Sequence, residues 1–204
     1  MRDALNVPNL VSFLRLLLVP LFVWLVVVDE IGWAGLLLGV IGATDWIDGY
    51  LARKLDQVTE LGKFLDPLAD RLAVAVAVVA GLIAGVLPSF FAWAIIVREI
   101  AVGLGALYGW SRGVRRLDVR DLGKLATLLL YFSITFFYVG VGFEMGWFEA
   151  AGWITGVPGL VLYYVVAVQY LGDLRLTISS RGEAGESTTV EGPPVTEEGE
   201  RGER

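Results

Sequence analysis

The sequence predicts an all-α, polytopic membrane protein with six transmembrane helices. Hydrophobic residues make up 56% of the 204 residues, and the mean hydropathy is +0.67. Six apolar stretches are each about as long as the ~20 residues that a helix needs to cross a bilayer. Short polar segments separate these stretches, and the pattern is typical of a helical membrane protein rather than of a soluble domain.

The six predicted spans follow one another along most of the chain. Asp29 and Glu30 form an acidic turn after the first span, and Pro88 with Ser89 marks the turn before the fourth. Arg15 lies inside the first span, where a charge is costly, so we expect it to face the helix bundle or reach the interface. The predicted spans cover residues 10–28, 31–52, 62–86, 90–109, 122–143 and 147–171.

The C-terminal segment differs in composition from the rest of the chain. Residues 1–178 form the predicted membrane domain, and residues 179–204 form an acidic tail rich in Gly, Glu, Ser, Thr and Pro. The tail has too little apolar surface to build a core, so we expect it to be disordered.

The residue types that are missing limit the chemistry. The chain contains no Cys and no His. Disulfides, thiolate nucleophiles and histidine catalysis are therefore excluded, and any reaction must use carboxylates, Arg, Lys, hydroxyl groups and bound metal. The Arg-rich loop at 112–120 alternates with acidic residues and adjoins the membrane, so we expect no nucleic-acid partner.

The distribution of Lys and Arg predicts the orientation in the membrane. Basic residues concentrate at 53–63 and 111–124, whereas the turns at 29–31, 87–89 and 144–149 have none. Loops rich in Lys and Arg stay on the cytoplasmic side. We therefore expect a protein of the cell membrane with both termini, and the polar segment between the second and third spans, in the cytoplasm.

Four aspartates lie on either side of that polar segment. Asp45 and Asp48 end the second span, and Asp66 and Asp70 begin the third. At i,i+3 and i,i+4 spacing each pair lies on one helix face, so two adjacent helices can direct four carboxylates into one pocket. Oxygen ligands of this kind suit Mg²⁺ or Mn²⁺ better than Zn²⁺.

The residues beside the aspartates predict a bulky phosphate-bearing ligand. Gly49, Ala52 and Gly62 are small and leave room for a ligand near the backbone. Arg53 offers a fork of N–H donors that matches a phosphate.

Two other readings of the aspartates are open at this point. The carboxylates can be structural partners of basic residues, although each one costs about 2.5–3.5 kcal/mol within a span. They can also mark an ion pathway, which would make the protein an ion-coupled transporter.

The spacing of this segment resembles the signature of the CDP-alcohol phosphatidyltransferase family. The pattern D-x2-D-G-x2-A-R-x8-G-x3-D-x3-D is matched without a gap at Asp45, Asp48, Gly49, Ala52, Arg53, Gly62, Asp66 and Asp70. The resemblance implies six helices around a polar cavity open to the cytoplasm, two divalent cations and a homodimer. It also implies a membrane enzyme of phospholipid synthesis that uses CDP-diacylglycerol and releases CMP.

Carried over residue by residue, the resemblance assigns roles within the motif. Asp45, Asp48, Asp66 and Asp70 would hold the metals, and Asp70 would also deprotonate the acceptor hydroxyl. The CDP part would be bound by Gly49, Ala52, Arg53 and Gly62.

Other segments resemble one branch of the family, the phosphatidylglycerophosphate synthases. The run NVPNLVSFLRLLLVP at 6–20 and the Arg98-Glu99-Ile100 element carry this likeness. It implies glycerol 3-phosphate as the acceptor, and we expect Arg98 and Lys124 to bind its phosphate. Their alternative role is pairing with Glu99 and Asp121, respectively.

The fifth span departs from that branch. Such synthases tend to read GK-x-KT-x2-Q there, whereas this chain has Gly123-Lys124-Leu125-Ala126-Thr127 and no Gln three residues later. The departure weakens the expectation of glycerol 3-phosphate, which remains the first one, and gives weight to the alternative of a cardiolipin synthase of the same family, with phosphatidylglycerol as the acceptor.

Overall fold

The computed structural model describes the backbone of residues 7–55, 60–114 and 121–190, with side chains at 14–43, 71–114 and 122–179. This part of the chain contains helices and no strand. The helices are α1 Val7–Val27, α2 Ile31–Leu55, α3 Glu60–Ile83, α4 Ser89–Ser111, α5 Asp121–Gly142 and α6 Gly146–Val190. The prediction of an all-α protein is therefore confirmed, and each predicted span coincides with one helix.

Within the described residues, three helices are long and apolar enough to cross a membrane. These spans are Ser89–Ser111, Leu122–Gly142 and Gly146–Ser179. The described parts of α1, α2 and α3 hold shorter apolar stretches, at Leu14–Val27, Ile31–Ala43 and Arg71–Ile83. The protein is therefore an integral membrane protein. The six predicted helices are present. That α1, α2 and α3 cross the membrane stays a prediction.

The turns after α1, α3 and α5 are closed in the same way. Asp29, Gly85 and Glu144 have φ values of 63°, 72° and 55°, which is the left-handed region that ends a helix. In each turn, the N–H groups of this residue and of the residue after it donate to carbonyls of the preceding helix. One example is the 2.8 Å bond from Met145 N to Gly140 O. These turns are short, so each pair of consecutive helices is antiparallel.

Helix α5 is central to the bundle. It packs against α2 and α6 and also reaches α3. Three hydroxyl groups on α5 donate to backbone carbonyls of these neighbours: Tyr131 to Leu38 of α2, Ser133 to Gly152 of α6 at 2.7 Å, and Tyr138 to Ala77 of α3 at 2.8 Å. Ser133 and Tyr138 are fully buried, so their hydroxyl groups have no water to bind and the bonds fix the helix positions.

Arg15 faces the bundle, which confirms one of the two predicted orientations. Its side chain is 3% exposed. The helix that carries it, α1, packs against α2 and α3. A guanidinium at this depth is therefore directed toward the helices that bear the aspartate motif rather than toward lipid.

The C-terminal segment differs from the prediction over its first part. Helix α6 continues to Val190, whereas the sequence predicts disorder from residue 179. Extending a formed helix adds one hydrogen bond for each residue that is fixed, which is far easier than starting a new helix. The next proline after α6 is Pro193, so no proline interrupts the extension. Residues 191–204 lie outside the described residues, and their predicted disorder stays a prediction.

Close approach of α2 and α5 predicts a specific sensitivity to substitution. A Cβ at Gly35 would lie 2.7 Å from the backbone N of Val139, whereas a Cβ at Gly103 of α4 would meet nothing within 4 Å. Gly35→Ala should therefore cost roughly 1–3 kcal/mol through overpacking. Gly103→Ala should be neutral or stabilising, because Ala favours the helix.

Thermal unfolding of the two variants in detergent measures this difference. The expected result is a lower midpoint for Gly35→Ala than for the wild type and an unchanged or higher midpoint for Gly103→Ala. Equal midpoints for the two variants would contradict the packing of α2 against α5.

Candidate functional site

The helical backbone places the four predicted metal ligands on two consecutive helices. Asp45 and Asp48 lie in the last part of α2, and Asp66 and Asp70 lie in the first half of α3. Residues three and four apart on an α-helix share a face, so each pair occupies one face of its helix. The side chains of these residues, and of Gly49, Ala52, Arg53 and Gly62, lie outside the described side chains, and their roles stay predictions.

The described side chains begin again immediately after this motif. Arg71 follows Asp70 on α3, and α3 packs against α4. This packing makes the helix that bears Asp66 and Asp70 a neighbour of a second group of polar residues. That group joins α4 to α6 and consists of Arg98, Glu99 and Tyr163, which we call the Arg98 cluster.

Every member of the Arg98 cluster contacts the other two. Arg98 Nη1 lies 2.7 Å from Glu99 Oε1, and the Tyr163 hydroxyl donates to the same carboxylate oxygen. The Arg98 guanidinium carbon lies 3.7 Å from the centre of the Tyr163 ring, and its Nε donates to the Tyr163 carbonyl oxygen at 3.4 Å. The Arg98 side chain is 12% exposed and that of Glu99 is 42% exposed, so the positive charge is the more buried of the two.

Arg98 therefore has the alternative role expected from the sequence, pairing with Glu99. This pairing still leaves Arg98 able to bind another group, because a guanidinium carries five N–H donors. The two contacts from Nη1 and Nε use two of them. Binding of an acceptor phosphate by Arg98 stays a prediction.

Lys124 lies at the start of α5, away from the buried part of that helix. Its side chain is exposed. The neighbouring Thr127 hydroxyl donates to the carbonyl oxygens of Gly123 and Lys124, at 3.1 and 2.9 Å, as Thr side chains within a helix commonly do. The side chain of Asp121 is outside the described set, so its predicted pairing with Lys124 stays a prediction.

The two positions where α5 departs from the expected pattern are in the hydrophobic core. Ala126 stands where the pattern has its second Lys and is 0% exposed; Leu130 stands where it has Gln and is 3% exposed. Both belong to the central cluster of buried apolar residues. A charged or amide side chain at these positions is thus replaced by apolar packing.

Residues 5–168 match the CDP-alcohol phosphatidyltransferase family. The chain belongs to this family. The match covers α1 to α5 and the first half of α6, including the aspartate motif and the Arg98 cluster. The family resemblance predicted from the sequence is therefore confirmed.

Relatives of two kinds cover most of the chain. It is 33% identical to a cardiolipin synthase (CMP-forming) from Streptomyces coelicolor, over 84% of this chain and 84% of the relative. It is 31% identical to a CDP-diacylglycerol–glycerol-3-phosphate 3-phosphatidyltransferase from Escherichia coli, over 86% of this chain and 94% of the relative. An enzyme of the latter name from Bacillus subtilis is 38% identical over 60% of this chain and 70% of its own length.

Membership of this family makes the protein a membrane enzyme of phospholipid synthesis. The predictions of a transferase and of the family are confirmed by the match and by the names of these relatives. The ion-coupled transporter, which was the alternative outside enzymes, has no support among them.

The motif of this phosphatidyltransferase fits divalent cations by the chemistry of its donors. Four carboxylates and no sulfur or imidazole form an oxygen-only set, which suits Mg²⁺ or Mn²⁺. Within residues 14–43, 71–114 and 122–179, no group of three acidic, His or Cys side chains could hold a metal ion. The described side chains therefore offer no competing site, and the aspartates remain the predicted ligands.

Tyr163 is the site residue that the sequence analysis missed. A tyrosine in an apolar helix normally needs a hydrogen-bond partner for its hydroxyl group. The Arg98-Glu99 pair in α4 needs partners of its own, since it lies within an apolar span. Both requirements are visible in the sequence. Only the packing of α6 against α4 shows that Tyr163 and the Arg98-Glu99 pair satisfy each other.

Proposed function

We propose that this enzyme transfers the phosphatidyl group of CDP-diacylglycerol to the hydroxyl group of a glycerol-containing acceptor and releases CMP. The observation that carries the proposal is the uninterrupted aspartate motif on α2 and α3, within a chain that belongs to the CDP-alcohol phosphatidyltransferase family. The acceptor oxygen forms a bond to the β-phosphorus while the bond from this phosphorus to the oxygen bridging to CMP breaks. The electron pair leaves with CMP.

Each motif residue has a role in this displacement. Asp45, Asp48, Asp66 and Asp70 would hold two divalent cations, Mg²⁺ or Mn²⁺, which would neutralise the charge of the pyrophosphate and of the leaving CMP. Asp70 accepts the proton of the attacking hydroxyl group. The small residues Gly49, Ala52 and Gly62 admit the CDP moiety, and Arg53 donates to its phosphates. The chain has no Cys or His to form a covalent enzyme intermediate. Direct displacement needs no such intermediate, so it fits the residues that are present.

The acceptor that the described structure supports best is phosphatidylglycerol. Ala126 and Leu130 are buried in the core at the positions where the glycerol-phosphate pattern has Lys and Gln. Arg98 is already paired with Glu99, so less positive charge is available for the phosphate of glycerol 3-phosphate, which carries nearly two negative charges. A phosphodiester carries one charge and reaches the site from the bilayer, so it needs less compensation.

Glycerol 3-phosphate is the second candidate acceptor. The N-terminal run at 6–20 and the Arg98-Glu99-Ile100 element favour it, and so do the relatives that are named for this acceptor. In that case Arg98 and Lys124 provide the positive charge. The homodimer that the family resemblance implies applies equally to both candidates.

We also propose that the active site and both termini face the cytoplasm. The support is the concentration of Lys and Arg at 53–63 and 111–124. Soluble CMP is then released where nucleotides are available.

Substitutions in the aspartate motif should separate metal binding from proton transfer. Asp45→Ala and Asp66→Asn should abolish CMP release and weaken Mn²⁺ binding, because each removes a carboxylate ligand. Asp70→Asn should lower turnover by about 10²- to 10⁴-fold, as expected for loss of a general base, while retaining part of the Mn²⁺ binding.

Mn²⁺ titration followed by electron paramagnetic resonance, together with a CMP release assay, tests both effects. The matched control is Asp56→Asn, which changes an aspartate between the two pairs and should leave both readouts unchanged. Near-normal turnover of Asp70→Asn would show that another group is the base.

A competition between acceptors should identify the product. Purified enzyme with CDP-diacylglycerol, Mg²⁺ and phosphatidylglycerol should form cardiolipin and CMP, and equimolar glycerol 3-phosphate should change neither yield. Mass spectrometry of the lipids distinguishes the products. Formation of phosphatidylglycerol phosphate instead would assign glycerol 3-phosphate as the acceptor and contradict the argument from α5.

Cysteine labelling should report the orientation directly, because the chain has no native Cys. In intact cells a membrane-impermeant maleimide should label Gly146→Cys and should not label Asp56→Cys. Gly146 is suitable since a Cβ there meets nothing within 4 Å. Both variants should be labelled after the membrane is permeabilised. The reverse pattern in intact cells would overturn the proposed orientation.

A further inference from the structure

The Arg98 cluster presents a physical problem that the motif chemistry does not explain. Arg98 and Glu99 are the two charged residues of α4, which is otherwise apolar. Charges in such a span are expensive and usually serve a function. Adjacent residues on a helix do not face each other, so this pair meets only because both side chains turn toward the same point. Tyr163 occupies that point.

Tyr163 holds Arg98 by three routes. Its ring lies under the guanidinium, its backbone carbonyl accepts from Nε, and its hydroxyl group binds the carboxylate that pairs with Nη1. Tyr163 is 6% exposed, so its own position is fixed by packing. The long Arg side chain, which otherwise has many rotamers, is thereby restricted to one arrangement before any ligand binds.

The hydroxyl group of Tyr163 also changes how Glu99 acts on Arg98. A carboxylate that accepts a hydrogen bond from a phenol shares its charge between two partners. Arg98 thus shares its carboxylate partner with Tyr163 and uses two of its five N–H donors in these contacts. Its further donors can bind a phosphate.

The cluster adjoins the part of the site where the acceptor reacts. Arg71 directly follows Asp70, the proposed base, on α3, and α3 packs against α4, which carries Arg98 and Glu99. The acceptor hydroxyl must approach that base, so the phosphate of the same acceptor molecule lies within a short distance of it. Arg98 therefore lies on a helix that neighbours the proposed base, within the region where we place the acceptor phosphate.

We propose that Tyr163 is a positioning residue for acceptor recognition, which preorganises Arg98 to bind the acceptor phosphate. The inference rests on the proposed function and holds for phosphatidylglycerol and for glycerol 3-phosphate, since both carry a phosphate. Preorganisation lowers the cost of ordering the side chain when the acceptor binds. Its loss should therefore affect the acceptor KM and leave the chemical step unchanged.

The test compares two adjacent tyrosines of α6. Tyr163→Phe removes the hydroxyl group and keeps the ring under Arg98. Tyr164→Phe removes a hydroxyl group that also binds α4, through the carbonyl oxygen of Ala94 at 2.8 Å, but does not belong to the cluster. Loss of one such hydrogen bond should raise the acceptor KM of Tyr163→Phe by about three- to tenfold. Its kcat and its KM for CDP-diacylglycerol should stay within about twofold of the wild type.

Tyr164→Phe should leave all three constants unchanged. If both variants raise the acceptor KM equally, the effect comes from general contact between α4 and α6 and the inference is wrong. It is also wrong if Tyr163→Phe lowers kcat with no change in acceptor KM. Thermal midpoints of the two variants in detergent verify that both remain folded.

A double substitution tests whether Tyr163 acts through Arg98. Arg98→Ala should raise the acceptor KM by itself, and adding Tyr163→Phe should raise it no further, because coupled residues are not additive. Arg98→Lys tests the same arrangement without a change in α6. It keeps the charge but loses the planar fork, and it should raise the acceptor KM as Tyr163→Phe does.

Additive effects in the double variant, or an unchanged acceptor KM in Arg98→Lys, would overturn the inference. The assay also separates this failure from that of the proposed function. Wild-type enzyme that releases no CMP with either acceptor would refute the proposed function and the inference together. Active wild-type enzyme with indistinguishable Tyr163→Phe and Tyr164→Phe variants would refute the inference alone.

Discussion

The hydrogen bonds that α5 donates to its neighbours are the constraint on which the rest of the bundle depends. In a bilayer, apolar side chains gain little by leaving lipid for a helix interface, so close packing and interhelical hydrogen bonds must hold helices together. Tyr131, Ser133 and Tyr138 supply such bonds to α2, α6 and α3. Small residues such as Gly35 let the backbones approach closely enough for these bonds to form. The helices that carry the aspartate motif, α2 and α3, are thereby fixed relative to each other through α5.

The central position of α5 also bears on the acceptor recognition that we propose. The face of α5 that contains Ala126 and Leu130 belongs to the hydrophobic core, so it provides packing where the glycerol-phosphate pattern provides Lys and Gln. In the proposed function, positive charge for the acceptor phosphate comes from the surrounding helices. Arg98 on α4 is suited to this task because α6 already holds its side chain in place.

The Arg98 cluster illustrates how a membrane enzyme keeps a charge within an apolar span. The ion pair with Glu99 offsets part of the cost of burying the guanidinium, and Tyr163 satisfies donors and acceptors that lipid cannot. The same contacts hold the side chain in one arrangement. Stability within the membrane and the proposed orientation toward an acceptor phosphate thus depend on the same three residues.

The sequence by itself determined the helices and the family of this protein. Apolar stretches of about membrane length fixed the six helices, and the spacing of the motif from Asp45 to Asp70 fixed which residues share a helix face, since both follow from local geometry. The tertiary structure decided what contacts what across the bundle. Tyr163 is 64 residues from Glu99 in the chain, and no local pattern predicts their hydrogen bond. Likewise, Ala126 and Leu130 are unremarkable apolar residues in the sequence, and only the packing of α5 against its neighbours buries them in the core. Contacts of this kind depend on how helices approach one another, which is set by many distant residues together.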